Sequence, residues 1–138
     1  MQISYHGAKA RGDRSVQRTL FKEAIEKSKE LIDRSSDAKV LLQARATLAD
    51  ASQEFGQFLI EELETARETN PDRVQELEEE SAATFRAGIA ACSKVMENLE
   101  PQREKDPQKD VEFGLFWMRK GVLMREQARA VKADREVL

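Results

Sequence analysis

Residues 37–68 read DAKVLLQARATLADASQEFGQFLIEELETARE. Leu41, Ala44, Leu48, Ala51, Phe55, Phe58 or Leu59, and Ala66 recur there at steps of three, four and seven or eight. At about 3.6 residues per turn this spacing puts them on one side of a helix, and it holds for about eight turns. Gly56 sits inside the run and costs about 1 kcal/mol relative to alanine, so the period outweighs it. An amphipathic run this long predicts an all-α chain.

Upstream, Arg34-Ser35-Ser36-Asp37 breaks the period, and Ser36 is the expected N-cap, its hydroxyl taking an orphan backbone N–H. Before the break, Phe21, Ile25, Ser28 and Ile32, broadened by Leu20, Ala24 and Leu31, predict a helix from about Asp13 or Ser15 to Asp33. Downstream, Asn70-Pro71-Asp72 is a helix start: Asn caps, Pro suits the first position, and Asp favours the positive end of the dipole. The third helix carries Leu77, Ser81, Phe85, Gly88, Cys92, Val95 and Leu99 on its face, joined by Ala82, Ile89 and Met96, and ends before Pro101. Asp106-Pro107 repeats the start signal for a fourth helix, whose stripe reads Phe113, Trp117, Gly121, Met124, Ala128, Val131 and Leu138. Phe85 is expected in the core, facing the second and fourth helices.

The rest of the composition agrees. The chain has 138 residues, enough for one domain, with 36% charged and 6% aromatic residues, 6 Gly and 3 Pro. Cys92 is the single cysteine, so no internal disulfide forms, which suits a reducing compartment. Met1 to Gly12 has no apolar run of a signal peptide, and Val111–Met124 is too short and too charged to span a bilayer. A cytoplasmic protein is expected, with residues 1–12 a flexible N-terminal arm and residues 13–138 a single all-helical domain. The end at Val137-Leu138 has no Gly, Asn or Pro stop signal, so these residues dock or the domain belongs to a longer helical array.

Nothing in the sequence assembles a catalytic site. His6 is the only histidine, which excludes a multi-His metal centre, and Cys92 reads as a buried small hydrophobe. Glu61, Glu62, Glu64, Glu78, Glu79 and Glu80 come without the Glu-x-x-His pairs of a di-iron bundle and read as a solvated surface. There is no phosphate-binding glycine loop. No cofactor, metal or small-molecule substrate is expected.

Charge is uneven. Residues 1–22 hold five basic groups and one acid, net +4; residues 61–80 hold nine acids and two basic groups, net −7; residues 119–138 hold six basic groups and three acids, net +3. The structural reading is a set of solvated helix faces. The functional alternative is nucleic-acid association through Lys9, Arg11, Arg14 and Arg18 and the basic end of the fourth helix. These residues have no interleaved aromatics, and the whole chain is at −3.

The fourth helix is apolar nearly all round. Val111, Leu115, Met118 and Val122 lie on one side, Phe116 and Leu123 nearly opposite, with Trp117 and Met124 between. Such a helix is usually buried among neighbours, and the first expectation is intramolecular core. As the last helix it also lies at an edge, and one neighbour cannot hide that much surface. Phe116, Trp117, Val122, Leu123, Met124, Val131 and Leu138 are therefore the candidate interaction surface, for a second copy or for another protein's helix. Gly114 and Gly121, one heptad apart on the Trp117 face, read first as packing concessions within the domain and second as a place for another backbone to approach.

Local frames repeat: Phe21-Lys22-Glu23-Ala24-Ile25 in the first helix and Phe85-Arg86-Ala87-Gly88-Ile89 in the third, with Phe55 and Phe113 opening FGQFL and FGLFW. The first two resemble the second helix of a tetratricopeptide repeat, and Trp117 with Gly121 resembles the Trp and Gly of its first helix. The pattern departs from the family at Lys120, where an apolar residue is usual, at Arg45, where the Gly belongs, and in helix length. The resemblance spans residues 17–138. It implies stacked antiparallel helix hairpins and a scaffold that binds other proteins. The fold expected is thus all-α, about four long antiparallel helices in a tetratricopeptide-like hairpin stack or an up-down bundle, acting in non-enzymatic protein–protein interaction.

Overall fold

In the computed structural model, the described residues are 13–137, with side chains described for 13–130. They form four α-helices: α1 (Arg14–Arg34), α2 (Ala38–Thr69), α3 (Val74–Leu99) and α4 (Pro107–Val137). Three-residue 3₁₀ turns, Pro71–Arg73 and Glu100–Gln102, lead into and out of α3. The arm of residues 1–12, with His6, Lys9 and Arg11, lies outside the described residues, as do Leu138 and the side chain of Val131.

The starts are set by aspartates. Asp13 Oδ1 accepts from the Val16 N–H at 3.1 Å. Asp37, not Ser36, caps α2: its Oδ1 accepts from the N–H groups of Lys39 at 2.9 Å and Val40 at 3.2 Å. A carboxylate at the positive end of the dipole is the stronger acceptor of the two. Asp106 accepts from the Gln108 N–H at 3.0 Å and starts α4 at Pro107. Asn70 makes no side-chain cap; its backbone N–H donates to Ala66 O and closes α2, and Pro71 opens a 3₁₀ turn before α3 begins.

Successive helices run antiparallel. Arg14 at the start of α1 meets Glu61 and Glu62 late in α2, whereas Phe21 stacks on Phe55 further back. Gly56 meets Phe85, and Arg67 pairs with Glu78, along α2 and α3. Gly88 of α3 lies against Leu123 of α4. The α2–α3 pair forms the centre, with α1 packed on α2, and α4 packed mainly on α3 and less on α2. Between α1 and α4 there is no substantial packing among the described residues.

Two apolar clusters result. The first joins Phe21, Ala24 and Ile25 of α1 to Leu48, Phe55, Phe58, Leu59 and Leu63 of α2, and to Leu77 of α3. Phe21, Phe55 and Phe58 form a ring trio with centroids 5.7–5.9 Å apart. The second joins Phe85, Cys92, Val95 and Leu99 of α3 to Ala49 of α2 and to Phe116 and Leu123 of α4. Phe85 is fully buried between α2 and α4, where its place in the α3 stripe puts it. Two glycines set the spacing: an added Cβ at Gly56 would stand 2.4 Å from Phe85 Cζ, and one at Gly88 would stand 2.8 Å from Ser52 Cβ.

The acidic band is less solvated than expected. Arg14 donates to Glu61 at 2.9 Å and to Glu62 at 2.6 Å, and Arg18 donates to Glu80. The same arginines lie over rings of the first cluster, Arg14 at 4.1 Å from the Phe58 centroid and Arg18 at 5.8 Å from that of Phe55. The basic start of α1 is docked onto the acids of α2 and α3.

Candidate functional site

On α4 the apolar circumference divides into an inner and an outer half. Phe116 and Leu123, 5% and 1% exposed, belong to the second core cluster and are not available to a partner. This corrects their place in the candidate surface. They share that cluster with Phe85, Cys92, Val95 and Leu99 of α3, so docking of α4 removes them from water. Arg119 fixes the orientation: its guanidinium lies 4.8 Å from the Phe116 centroid and its Nε is 3.5 Å from Asp50 on α2. Arg103, 3.8 Å from the Phe113 centroid and bonded to Asp110 at 2.9 Å, does the same where α4 begins.

The outer half stays open. Val111 is 56% exposed, Leu115 53%, Trp117 64%, Met118 62% and Met124 52%, with Val122 half-buried beside them. The stripe Phe113, Trp117, Gly121, Met124, Ala128, expected to face inward, faces mostly outward: beyond half-buried Phe113, these residues are exposed. Val111, Leu115 and Met118 were not among the candidate residues, yet they complete the patch. Their signal was their position on the side of α4 opposite Phe116 and Leu123. Met96 of α3 joins Trp117, Met118, Gly121, Val122 and Met124 around a surface depression at this face.

Gly114 and Gly121 are not packing concessions. Among the described residues, an added Cβ at either meets nothing within 4 Å, in contrast to Gly56 and Gly88. The open face of α4 therefore carries two bare stretches of backbone flanking Trp117.

Past the apolar stretch the exposed face turns basic. Arg125 and Arg129 have side chains 69% and 66% exposed and share the buried Glu126 carboxylate, Arg129 at 3.1 Å and Arg125 at 3.9 Å. Cys92 is a buried thiol whose pKa desolvation pushes up to about 11, so at neutral pH it holds its proton. A cleft between α2, α3 and α4 is lined by Leu63, Ala82, Phe85 and Ala130 with Glu78, Ser81 and Gln127, an arrangement with no evident nucleophile–base pair. Among the described residues no helix is long and apolar enough to cross a membrane.

No family model, curated protein or solved structure matches the chain.

Proposed function

We propose that this chain is a non-enzymatic protein-interaction module, a stack of antiparallel helix hairpins of the tetratricopeptide-like kind, that binds a helical protein segment along the outer face of α4. The observation that carries the reading is the contiguous apolar patch of Val111, Leu115, Trp117, Met118 and Met124, each more than half exposed. At roughly 100–200 Å² of open surface per side chain, the five present about 600 Å², the upper end of what a soluble monomer leaves uncovered. Trp and Met are favoured at such surfaces because they combine large contact area with adaptable shape. The stepwise packing of each helix on the next, without substantial α1–α4 packing among the described residues, supports an open stack over a closed bundle.

Of the alternatives, nucleic-acid association loses ground at the start of α1, where Arg14 and Arg18 already serve the acids of α2 and α3. The test is capture from a native extract by the immobilised chain, with Trp117→Glu and Met118→Glu as controls. Both positions are exposed, so the variants are expected to melt like the wild type. A protein retained by the wild type and lost by both variants supports the reading. Equal retention by all three, with unchanged folding, would overturn it.

A further inference from the structure

Among the described residues five arginines are half-buried: Arg18, Arg45, Arg67, Arg103 and Arg119. Four of them meet a carboxylate. Arg18 pairs with Glu80, Arg67 with Glu78 at 3.8 Å, Arg103 with Asp110 at 2.9 Å and Arg119 with Asp50 at 3.5 Å. Arg45 of α2 alone has no acid within 4.0 Å and no hydrogen bond among the described residues. A guanidinium drawn partly out of water costs stability unless an anion answers it, so the fold by itself does not account for this one.

Arg45 borders two hollows. The first, of about 280 Å³, lies between the start of α2 and the end of α3, with Lys109 of α4 among its lining residues. Leu42, Val95 and Leu99, from one end of the second core cluster, form its apolar side. Arg45, Lys109 and the Asn98 amide stand on its polar side, and no acid lines it among the described residues. Lys109 is shared with Glu112, 3.6 Å away, which leaves Arg45 as the cation without an anion. The second hollow carries an acid, Asp33, and its lysines each have a carboxylate on their own helix: Lys29 has Glu26 at 4.0 Å and Lys94 has Glu97 at 3.6 Å. Asp33 repels an added anion there, so the first hollow is the favoured side of Arg45.

We infer that this hollow binds a small carboxylic acid with a short aliphatic chain, its carboxylate held by Arg45 and its chain laid against Leu42, Val95 and Leu99. A guanidinium offers two parallel N–H donors, the arrangement that matches one carboxylate. The volume falls just under the roughly 300–1,000 Å³ of common ligand sites, which limits the chain to a few carbons. Inorganic phosphate suits the site less: its second charge asks for a second free cation, and it has no apolar body for the aliphatic side. The hollow uses none of the exposed residues of the α4 outer face, so it stands or falls apart from the interaction reading.

The test is an amide NMR titration of the full chain with isocaproate to about 50 mM, enough to saturate a millimolar site. Saturable shifts are expected at Leu42, Arg45, Val95 and Leu99. Isocaproamide, which has the chain without the charge, and acetate, which has the charge without the chain, should each bind at least about tenfold more weakly, as should inorganic phosphate. Arg45→Met is the deciding variant, because methionine keeps an apolar stem and removes the charge. It should lose isocaproate binding by at least about tenfold. The free variant should also melt no lower than the wild type, since no partner in the fold is given up. An arginine with a structural task would lower the melt instead. Absence of saturation, equal binding of the amide, acetate or phosphate, binding kept by Arg45→Met, or a lower melt of that variant each overturn the inference.

Discussion

The ring of Phe85 lies directly over Gly56: a Cβ added there would fall 2.4 Å from its Cζ and 2.5 Å from its Cε1. Two helices are held at a spacing that a single methyl group would exceed. Gly56→Ala should therefore destabilise the chain by about 1–3 kcal/mol, although alanine is the better helix former. Phe85→Leu alone removes part of the core, but in the Gly56→Ala background it should cost less, because the two sites share one space. Urea titration of the four proteins measures the coupling; strictly additive effects would mean the ring is not held there.

Ser52 faces the other close contact. It is fully buried against Gly88, and among the described residues its Oγ has no hydrogen-bond partner. A buried hydroxyl without a partner is a cost that alanine does not carry. Ser52→Ala should raise stability by up to about 1 kcal/mol, read as a higher denaturation midpoint with an unchanged slope. A loss of similar size would show that the hydroxyl is bonded in solution.

Charge placed on opposite sides of α4 should have opposite consequences. Leu123 is 1% exposed and Met118 62%. Leu123→Glu buries an unpaired carboxylate and should cost about 4 kcal/mol or more, whereas Met118→Glu should stay within about 0.5 kcal/mol of the wild-type monomer. Circular dichroism melts at low concentration, below any association, separate the two. Comparable melts would mean that α4 is not seated as described.

The thiol of Cys92 supplies a pH prediction. Burial pushes its pKa up to about 11, against a lowering by Arg119. The folded chain thus prefers the neutral thiol. Stability from this group is complete below the unfolded thiol's ordinary pKa of about 8.5 and is lost as pH rises toward 11. Native Cys92 should react slowly with an aromatic disulfide at pH 8 and keep accelerating through pH 10, whereas the unfolded chain should react at once and level off earlier. Fast native labelling at pH 8 would contradict the burial.

Much of the fold was legible from the sequence because its signals are local. The α3 stripe of Leu77, Ser81, Phe85, Gly88, Cys92, Val95 and Leu99 is buried at every position, because a regular helix turns sequence spacing directly into direction. Cap choice was less legible: Ser36 and Asp37 are adjacent and chemically similar, and a difference of one residue in where the chain turns decided between them.

By itself, then, the sequence determined four helices, their approximate limits and the inward faces of α1, α2 and α3, where apolar and polar sides are distinct. It could not orient α4, because a helix apolar all round has no preferred inward side until a neighbour is present. Tertiary packing decided that, seating Phe116 and Leu123 on α3, anchoring Arg119 to Asp50 and turning Trp117, Met118 and Met124 outward. It also distinguished glycines that look alike in sequence. Gly56 and Gly88 lie under other side chains, and Gly114 and Gly121 lie open among the described residues, since what a missing Cβ leaves room for depends on what another helix places above it.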